Sequence, residues 1–224
     1  IRFMKILTVN PGSTSLKYQL LEFESAEAPP RPLAAGRIER IGAPLSPFQF
    51  RLGEGAGAHR IDGQQAIPDY RAGLTLILTH LASPASGPLL RDPGELGAIG
   101  FKAVHAGMLG RGPSATWLTD EVLAAMERYA PLAPAHNPPY LAVIREFRRL
   151  APSAPLAALF EPAFHVTIPE ERVTCGLPLE WRDRHGIRRY GFHGASHRYI
   201  SERMPALLGR PQDDPDFRLI SCHL

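Results

Sequence analysis

The pattern of apolar and polar positions predicts that the first quarter of the chain is rich in β-strands. Residues 6–9 and 18–23 are apolar runs on either side of a polar turn, and residues 33–41 can form a further strand. Residues 48–52 alternate apolar and polar side chains with a period of two, and a strand returns at residues 59–61 after a glycine-rich tip. We therefore expect antiparallel strands joined by short turns.

From residue 67 onward helical spacing alternates with further strands. Residues 67–81 predict an amphipathic helix because apolar side chains recur every three or four positions. Thr119, followed by two acidic residues, is typical of the start of a second helix. The complete set after residue 81 is helices over 119–129, 140–150 and 196–208, and strands over 97–105, 155–160 and 216–222. This order predicts an α/β fold in which a mixed sheet carries helices on its faces.

Composition narrows the class of protein. The chain has 224 residues, 44% of them hydrophobic and 21% charged, which is ordinary for a folded protein. The net charge is +3, and the basic residues are dispersed apart from Arg145/Arg148/Arg149 and Arg182/Arg184/Arg188/Arg189, so no nucleic-acid partner is indicated. No apolar run approaches the roughly 20 residues of a membrane helix, and no signal-peptide pattern is visible. Cys175 and Cys222 lack metal-binding spacing, and a reduced cytoplasmic protein is the simplest interpretation.

The turn between the first two strands concentrates hydrogen-bond donors. It runs from Asn10 through Pro11 and Gly12 to three hydroxyl residues at 13–15, and Lys17 follows. Glycine lets the backbone approach a ligand closely, and donors that converge with one cation suit phosphate oxygens. A plain β-hairpin with a polar tip is the alternative interpretation of the turn alone.

Four histidines lie beside turn residues at the ends of predicted elements, where α/β proteins bind ligands: His105, His136, His165 and His193. Their spacing does not fit a local zinc site. Each histidine taken alone is more often structural or solvated than catalytic, and the pattern does not decide among them.

Five stretches in order along the chain resemble motifs of the acetate kinase family, which belongs to the sugar kinase, heat-shock ATPase and actin superfamily. They are Asn10-x-Gly-Ser-Thr-Ser-x-Lys17, Val104-His-x-Gly107, Ala135-His-Asn-Pro-Pro139, Phe160-x-x-Ala-Phe-His165 and Ile187-Arg-Arg-Tyr-Gly-Phe-His-Gly-Ala-Ser-His-Arg-Tyr199. The resemblance implies a ribonuclease-H-like (actin-like ATPase) domain over residues 1–163. It also implies the beginning of a second, nucleotide-binding domain of similar fold over residues 164–224, incomplete here.

The resemblance further implies reversible phosphoryl transfer between ATP and a short carboxylic acid, acetate or propionate, with Mg²⁺ or Mn²⁺ and a cytoplasmic homodimer for the full-length enzyme. It assigns catalytic roles to His193, Glu161, His136 and Lys102. It assigns substrate binding to Lys102, Val104, Ala135 and Phe192. It assigns phosphate and nucleotide binding to Asn10, Ser13, Ser15, Lys17, His223 and Leu224, with Asn10 also near the metal.

Several positions depart from the family pattern. Lys102 stands in place of an arginine and Glu161 in place of an aspartate, so the charges remain but the geometry changes. Ala135 replaces a larger apolar residue, and Ala106 replaces a glycine. The family also continues into a complete second domain, so we expect the 224 residues alone to bind nucleotide weakly without turnover. A non-catalytic remnant stays an alternative, whereas the histidine motifs argue against a chaperone-like ATPase.

Overall fold

An eight-stranded mixed sheet forms the centre of the computed structural model, which describes residues 3–83, 87–112 and 115–223. The strand order across the sheet is β5-β4-β3-β2-β1-β6-β8-β7. The strands are β1 Met4–Pro11, β2 Leu16–Phe23, β3 Arg31–Ile38, β4 Ser46–Leu52, β5 His59–Gln65, β6 Leu96–Ala103, β7 Thr116–Trp117 and β8 Leu156–Phe160. The first five strands form an antiparallel meander, while β6 and β8 run parallel to β1.

Six helices accompany this sheet in the part of the chain that the structure describes. They are α1 Tyr70–Leu81, α2 Asp120–Arg128, α3 Asn137–Leu150, α4 Glu170–Val173, α5 Leu179–His185 and α6 Gly194–Leu207. The apolar side of α3 buries Val143, Ile144 and Phe147, and the Phe147 ring lies 5.8 Å from the Phe101 ring of β6. The two helices α1 and α3 contact each other, and α3 contacts β1, so one face of the sheet forms the core.

The predicted mixed sheet and its flanking helices are confirmed, and the helix starts have clear local causes. Asp69 caps α1 by accepting a 2.8 Å hydrogen bond from the Ala72 amide, and Thr119 caps α2 by accepting one from the Val122 amide. Helix α3 begins three residues before its predicted start, with Pro138 and Pro139 in the first turn, where their missing amide hydrogens cost nothing.

The predicted strand over residues 216–222 is wrong. Phe217 and Leu219 are half-buried while Arg218 and Ile220 are exposed, so the alternation that suggested a strand is real. Within residues 216–223 of the structure, however, no ladder of backbone hydrogen bonds forms. An extended segment becomes a strand only beside a hydrogen-bonding partner, which a local sequence pattern cannot supply.

Candidate active site

Three polar side chains lie in one row across adjacent strands of the sheet. Asn10 on β1 pairs directly with Lys17 on β2. On the other side of β1, Val9 pairs with Phe101 of β6, so the next step of the parallel register brings Asn10 beside Lys102. Residues opposite each other on neighbouring strands point to the same face. Asn10, Lys17 and Lys102 therefore project from the sheet face opposite the core.

These three side chains line a cleft of about 510 Å³ on that face. Thr8 on β1 and Gln19 on β2, which pair with each other two residues away from Asn10 and Lys17, also line it. Neither residue was predicted as part of the site, although their period-two spacing from Asn10 and Lys17 was a signal that could have identified them.

The turn above the row is tightly closed. The Gly12 amide donates a 2.7 Å hydrogen bond to the Ser15 carbonyl, the Ile41 amide donates to the Thr14 carbonyl, and the Tyr70 hydroxyl donates to the Gly12 carbonyl. A Cβ at Gly12 would overlap the Ser15 hydroxyl, so a larger residue there would require the Ser15 side chain to rotate. Ser13 is exposed at the tip and Ser15 is half-buried. The predicted donors are thus held in one fixed turn.

A charge pair joins β6 to the turn after β8. Lys102 Nζ lies 2.6 Å from Glu161 Oε1, and the exposed fractions of the two side chains are 39% and 4%. The approach angle is not that of a hydrogen bond, and neither Glu161 oxygen has a hydrogen-bond partner among the described residues. Burial, and then the nearby Glu161 charge, raises the pKa of Tyr140 to about 12. Lys102 is therefore the cation that compensates a buried carboxylate.

Buried His105 has the contacts of a structural residue. Its Nδ1 accepts a 3.1 Å hydrogen bond from the Gly107 amide, and its ring stacks on Tyr129 with centroids 4.5 Å apart. Burial lowers the pKa of His105, which keeps the ring neutral. The buried Asn137 side chain donates 2.8 Å hydrogen bonds to the carbonyls of His105 and Met126. These two motif residues hold the end of β6 against α2 and α3.

His136 and Ala135 are exposed immediately before α3, whereas Val104 is buried just after β6. None of these three lines the sheet cleft. The Phe192 ring, which is 44% exposed, contacts the His105 ring at 6.1 Å, so it lies near Val104 through His105. The contacts of the described residues therefore bring together only part of the substrate-binding set that the resemblance predicts.

His193 adopts an uncommon backbone conformation at the start of α6. Its φ is 55°, a left-handed value that is rare outside glycine, and its ring stacks on His223 with centroids 4.0 Å apart. The preceding carbonyl, of Phe192, accepts a 2.8 Å hydrogen bond from His165 Nε2. Ala195, two residues after His193, lines the sheet cleft, whereas His193 itself does not. Leu224 lies outside the described residues.

The donor set of the cleft suits an anion rather than a bare metal ion. It contains two lysines, an asparagine and hydroxyl groups, and no group of three His, Cys, Asp or Glu able to hold a metal occurs within residues 3–83, 87–112 and 115–223. In that same part of the chain, no helix has the length and apolarity needed to cross a membrane.

The comparisons with known proteins agree on one family. The model of the acetokinase family matches residues 5–224. The acetate kinase of Desulfitobacterium hafniense (strain DCB-2) is 41% identical over 221 residues, which cover 99% of this chain and 52% of the relative. The acetate kinase of Bacillus subtilis (strain 168) is 39% identical over 220 residues, covering 98% and 52%. The chain thus spans about half the length of the curated relatives it matches.

Solved structures agree with these sequence matches. The Porphyromonas gingivalis acetate kinase superposes with a TM-score of 0.74 at 33% identity, covering 94% of this chain and 50% of that one. A propionate kinase from Francisella tularensis gives a TM-score of 0.75 at 28% identity, covering 92% and 50%. The actin-like fold expected from the sequence is confirmed. The residues matched and the shared fold establish that the chain belongs to the acetokinase family.

Proposed function

We propose that this chain forms the N-terminal half of a short-chain carboxylate kinase, which transfers the γ-phosphoryl group of ATP reversibly and directly to acetate or propionate. The observation that carries the proposal is the row of Lys17, Asn10 and Lys102 in one cleft. A carboxylate and a phosphoryl group repel each other, and cations on both sides of the reacting atoms reduce that repulsion and hold them in line.

Each side chain has a role that its position supports. Lys17 and the donors of the turn, Ser13 and Ser15, bind phosphate oxygens. Lys102 binds the acid's carboxylate or the transferring group, and Glu161 positions the Lys102 ammonium through their 2.6 Å contact. His193, two residues before the cleft-lining Ala195, donates to the phosphoryl oxygens, where charge accumulates during transfer.

The remaining assignments complete the proposed site. From the family resemblance we propose that His136 assists at the same oxygens and that Val104, Ala135 and Phe192 surround the apolar end of the acid, although none of the four lines the sheet cleft in this structure. The small Ala135 side chain leaves room for more than a methyl group. His223 and Leu224 would contribute to the nucleotide side, in a second domain that starts after residue 163.

Mg²⁺ or Mn²⁺ fits this donor set when the nucleotide supplies most of its ligands. Mg²⁺ commonly takes one or two protein oxygens together with phosphates and water, and Asn10 can offer its amide oxygen at the centre of the row. When bound, the metal would neutralise phosphate charge. The homodimer and the cytoplasmic location stay predictions.

The proposal is tested by measuring acyl phosphate as the hydroxamate, with acetate, propionate and butyrate as acceptors. The assay uses the 224-residue chain and a chimera that continues it with the second half of the D. hafniense relative. We expect turnover by the chimera only, since the chain spans about half the length of its relatives. Lys102→Met should abolish that turnover, and Arg91→Ala, an exposed arginine outside the cleft, should preserve it. A folded chimera inert with all three acids would refute the kinase assignment.

A further inference from the structure

A second cleft, of about 820 Å³, lies between α2, α5 and the loop that follows β6. It shares no lining residue with the sheet cleft. Four arginines line it: Arg128 at the end of α2, Arg182 and Arg184 on α5, and Arg188 just after α5. We call it the arginine cleft. Nothing in the proposed kinase chemistry uses these side chains.

Positive charge in the arginine cleft is incompletely compensated. Arg128 and Arg184 form no ion pair within residues 3–83, 87–112 and 115–223. Arg182 and Arg188 share one carboxylate, Glu170, at 2.9 and 3.2 Å, and Arg182 also contacts the neighbouring Asp183. Glu121 and Asp183 also line the cleft, so acidic side chains offset part of the charge of the four arginines, while Arg128 and Arg184 have no ion pair among the described residues.

One of the four lining guanidinium groups, that of Arg188, is largely buried. The Arg188 side chain is only 8% exposed, and its Nε has no hydrogen-bond partner among the described residues. Arg111, which does not itself line the cleft, also has a buried Nε without a hydrogen-bond partner among the described residues. Burial, and then the charge of Arg188, lowers the pKa of Arg111. Like charges held this close favour an anion beside them.

Part of the cleft lining is apolar. Tyr129 and Leu132 line it, and the Leu132 side chain is 72% exposed. The Tyr129 ring is held in place by its stack on His105. A rigid aromatic ring beside an exposed aliphatic side chain can pack against the apolar body of a small molecule.

We propose that the arginine cleft binds a small organic phosphate, whose phosphate contacts the arginines and whose apolar body packs on Tyr129 and Leu132. The arginines reach the cleft from two helices and a following loop, so their donors approach from different directions. Such an arrangement matches the tetrahedral oxygens of a phosphate better than a planar carboxylate, which one guanidinium can already bind in two-pronged fashion.

Titration calorimetry with phenyl phosphate, benzoate and inorganic phosphate tests this site on the 224-residue chain, without ATP or a carboxylic acceptor. We expect saturable binding of one phenyl phosphate, weaker binding of inorganic phosphate because it lacks the ring, and weaker binding of benzoate because it lacks the tetrahedral group. Binding that is equal or tighter for benzoate, or no saturable binding of phenyl phosphate, would overturn the proposal.

Two double variants locate the ligand. Arg128→Ala/Arg184→Ala should weaken phenyl phosphate binding by about tenfold or more, since a hydrogen bond to a charged group contributes roughly that factor. Arg60→Ala/Arg91→Ala removes the same charge from exposed positions that do not line the cleft, and should leave binding unchanged. Equal weakening in both variants would mean only general charge attraction and would refute a specific site.

Lys17→Ala separates this site from the sheet cleft. Phenyl phosphate binding that survives Lys17→Ala supports the arginine cleft, whereas its loss would place the ligand at the sheet cleft and overturn the proposal. The result does not depend on whether the chimera has kinase activity, so the two proposals can fail independently.

Discussion

The contact between Lys102 and Glu161 predicts an asymmetric loss of stability when either partner is removed. At 2.6 Å the gross attraction of the two charges is about 6 kcal/mol for an effective dielectric constant of 20. Lys102→Met leaves a carboxylate that is only 4% exposed without its cation, and such losses cost about 3–5 kcal/mol. We expect about 3 kcal/mol, because the site that Lys102 occupies is 39% exposed and water can partly replace it.

Glu161→Gln should cost far less, about 1 kcal/mol, because the freed lysine can turn into water. The double variant removes both charges and should cost less than the sum of the single variants, giving a coupling of about 2 kcal/mol. Urea unfolding at pH 7, followed by circular dichroism, measures all four proteins. The reasoning fails if Lys102→Met destabilises no more than Glu161→Gln, since the carboxylate would then not depend on its cation.

Other groups give further predictions. Burial lowers the pKa of His105, so the unfolded chain binds more protons than the folded chain. The stability of the protein should therefore fall as the pH drops below about 6.5. The urea midpoints measured at pH 7.5 and 5.5 should differ less in His105→Phe than in the control variant His136→Phe. Burial raises the pKa of Tyr140 and of Tyr190 to about 12, so each hydroxyl ionises more easily in the unfolded chain. Stability should therefore be lost as the pH rises from about 10 to about 12. Across this pH range the urea midpoint should fall less in each Tyr→Phe variant than in the unmodified protein. Because His193 has a φ of 55°, His193→Gly should be about 1 kcal/mol more stable than His193→Ala in urea; equal stabilities would show that the backbone is unstrained.

Local sequence patterns predicted those helices and strands in which the pattern repeats over several residues or a side chain caps the helix. The start of α2 is an example, since Thr119 both suggested it and caps it. Helices α4 and α5 were not predicted, because four and seven residues are too few to show a helical period. The two-residue β7 was missed for the same reason, since it exists only through its pairing with β8.

For the site, the sequence did not predict which residues distant along the chain contact each other. The resemblance pointed to Lys102 and to Glu161 separately, but their contact depends on β6 and β8 being neighbours in the sheet. Arg182, Arg184 and Arg188 cluster in the sequence, but Arg128 is far from them, and nothing in the sequence indicated that all four line one cleft. Charges scattered along a chain become a binding surface only after folding.

The row of Lys17, Asn10 and Lys102 also fixes the distance between the backbone positions of its two lysines. Neighbouring strands are held about 4.8 Å apart by their backbone hydrogen bonds, so the Cα atoms of the two lysines are separated by about 10 Å across β1. Hinge motion elsewhere in the molecule cannot stretch this interval without breaking the sheet. Any pair of anions that the two lysines hold at once is therefore bound from two backbone positions of fixed separation, and only the lysine side chains can adjust to the acid or nucleotide.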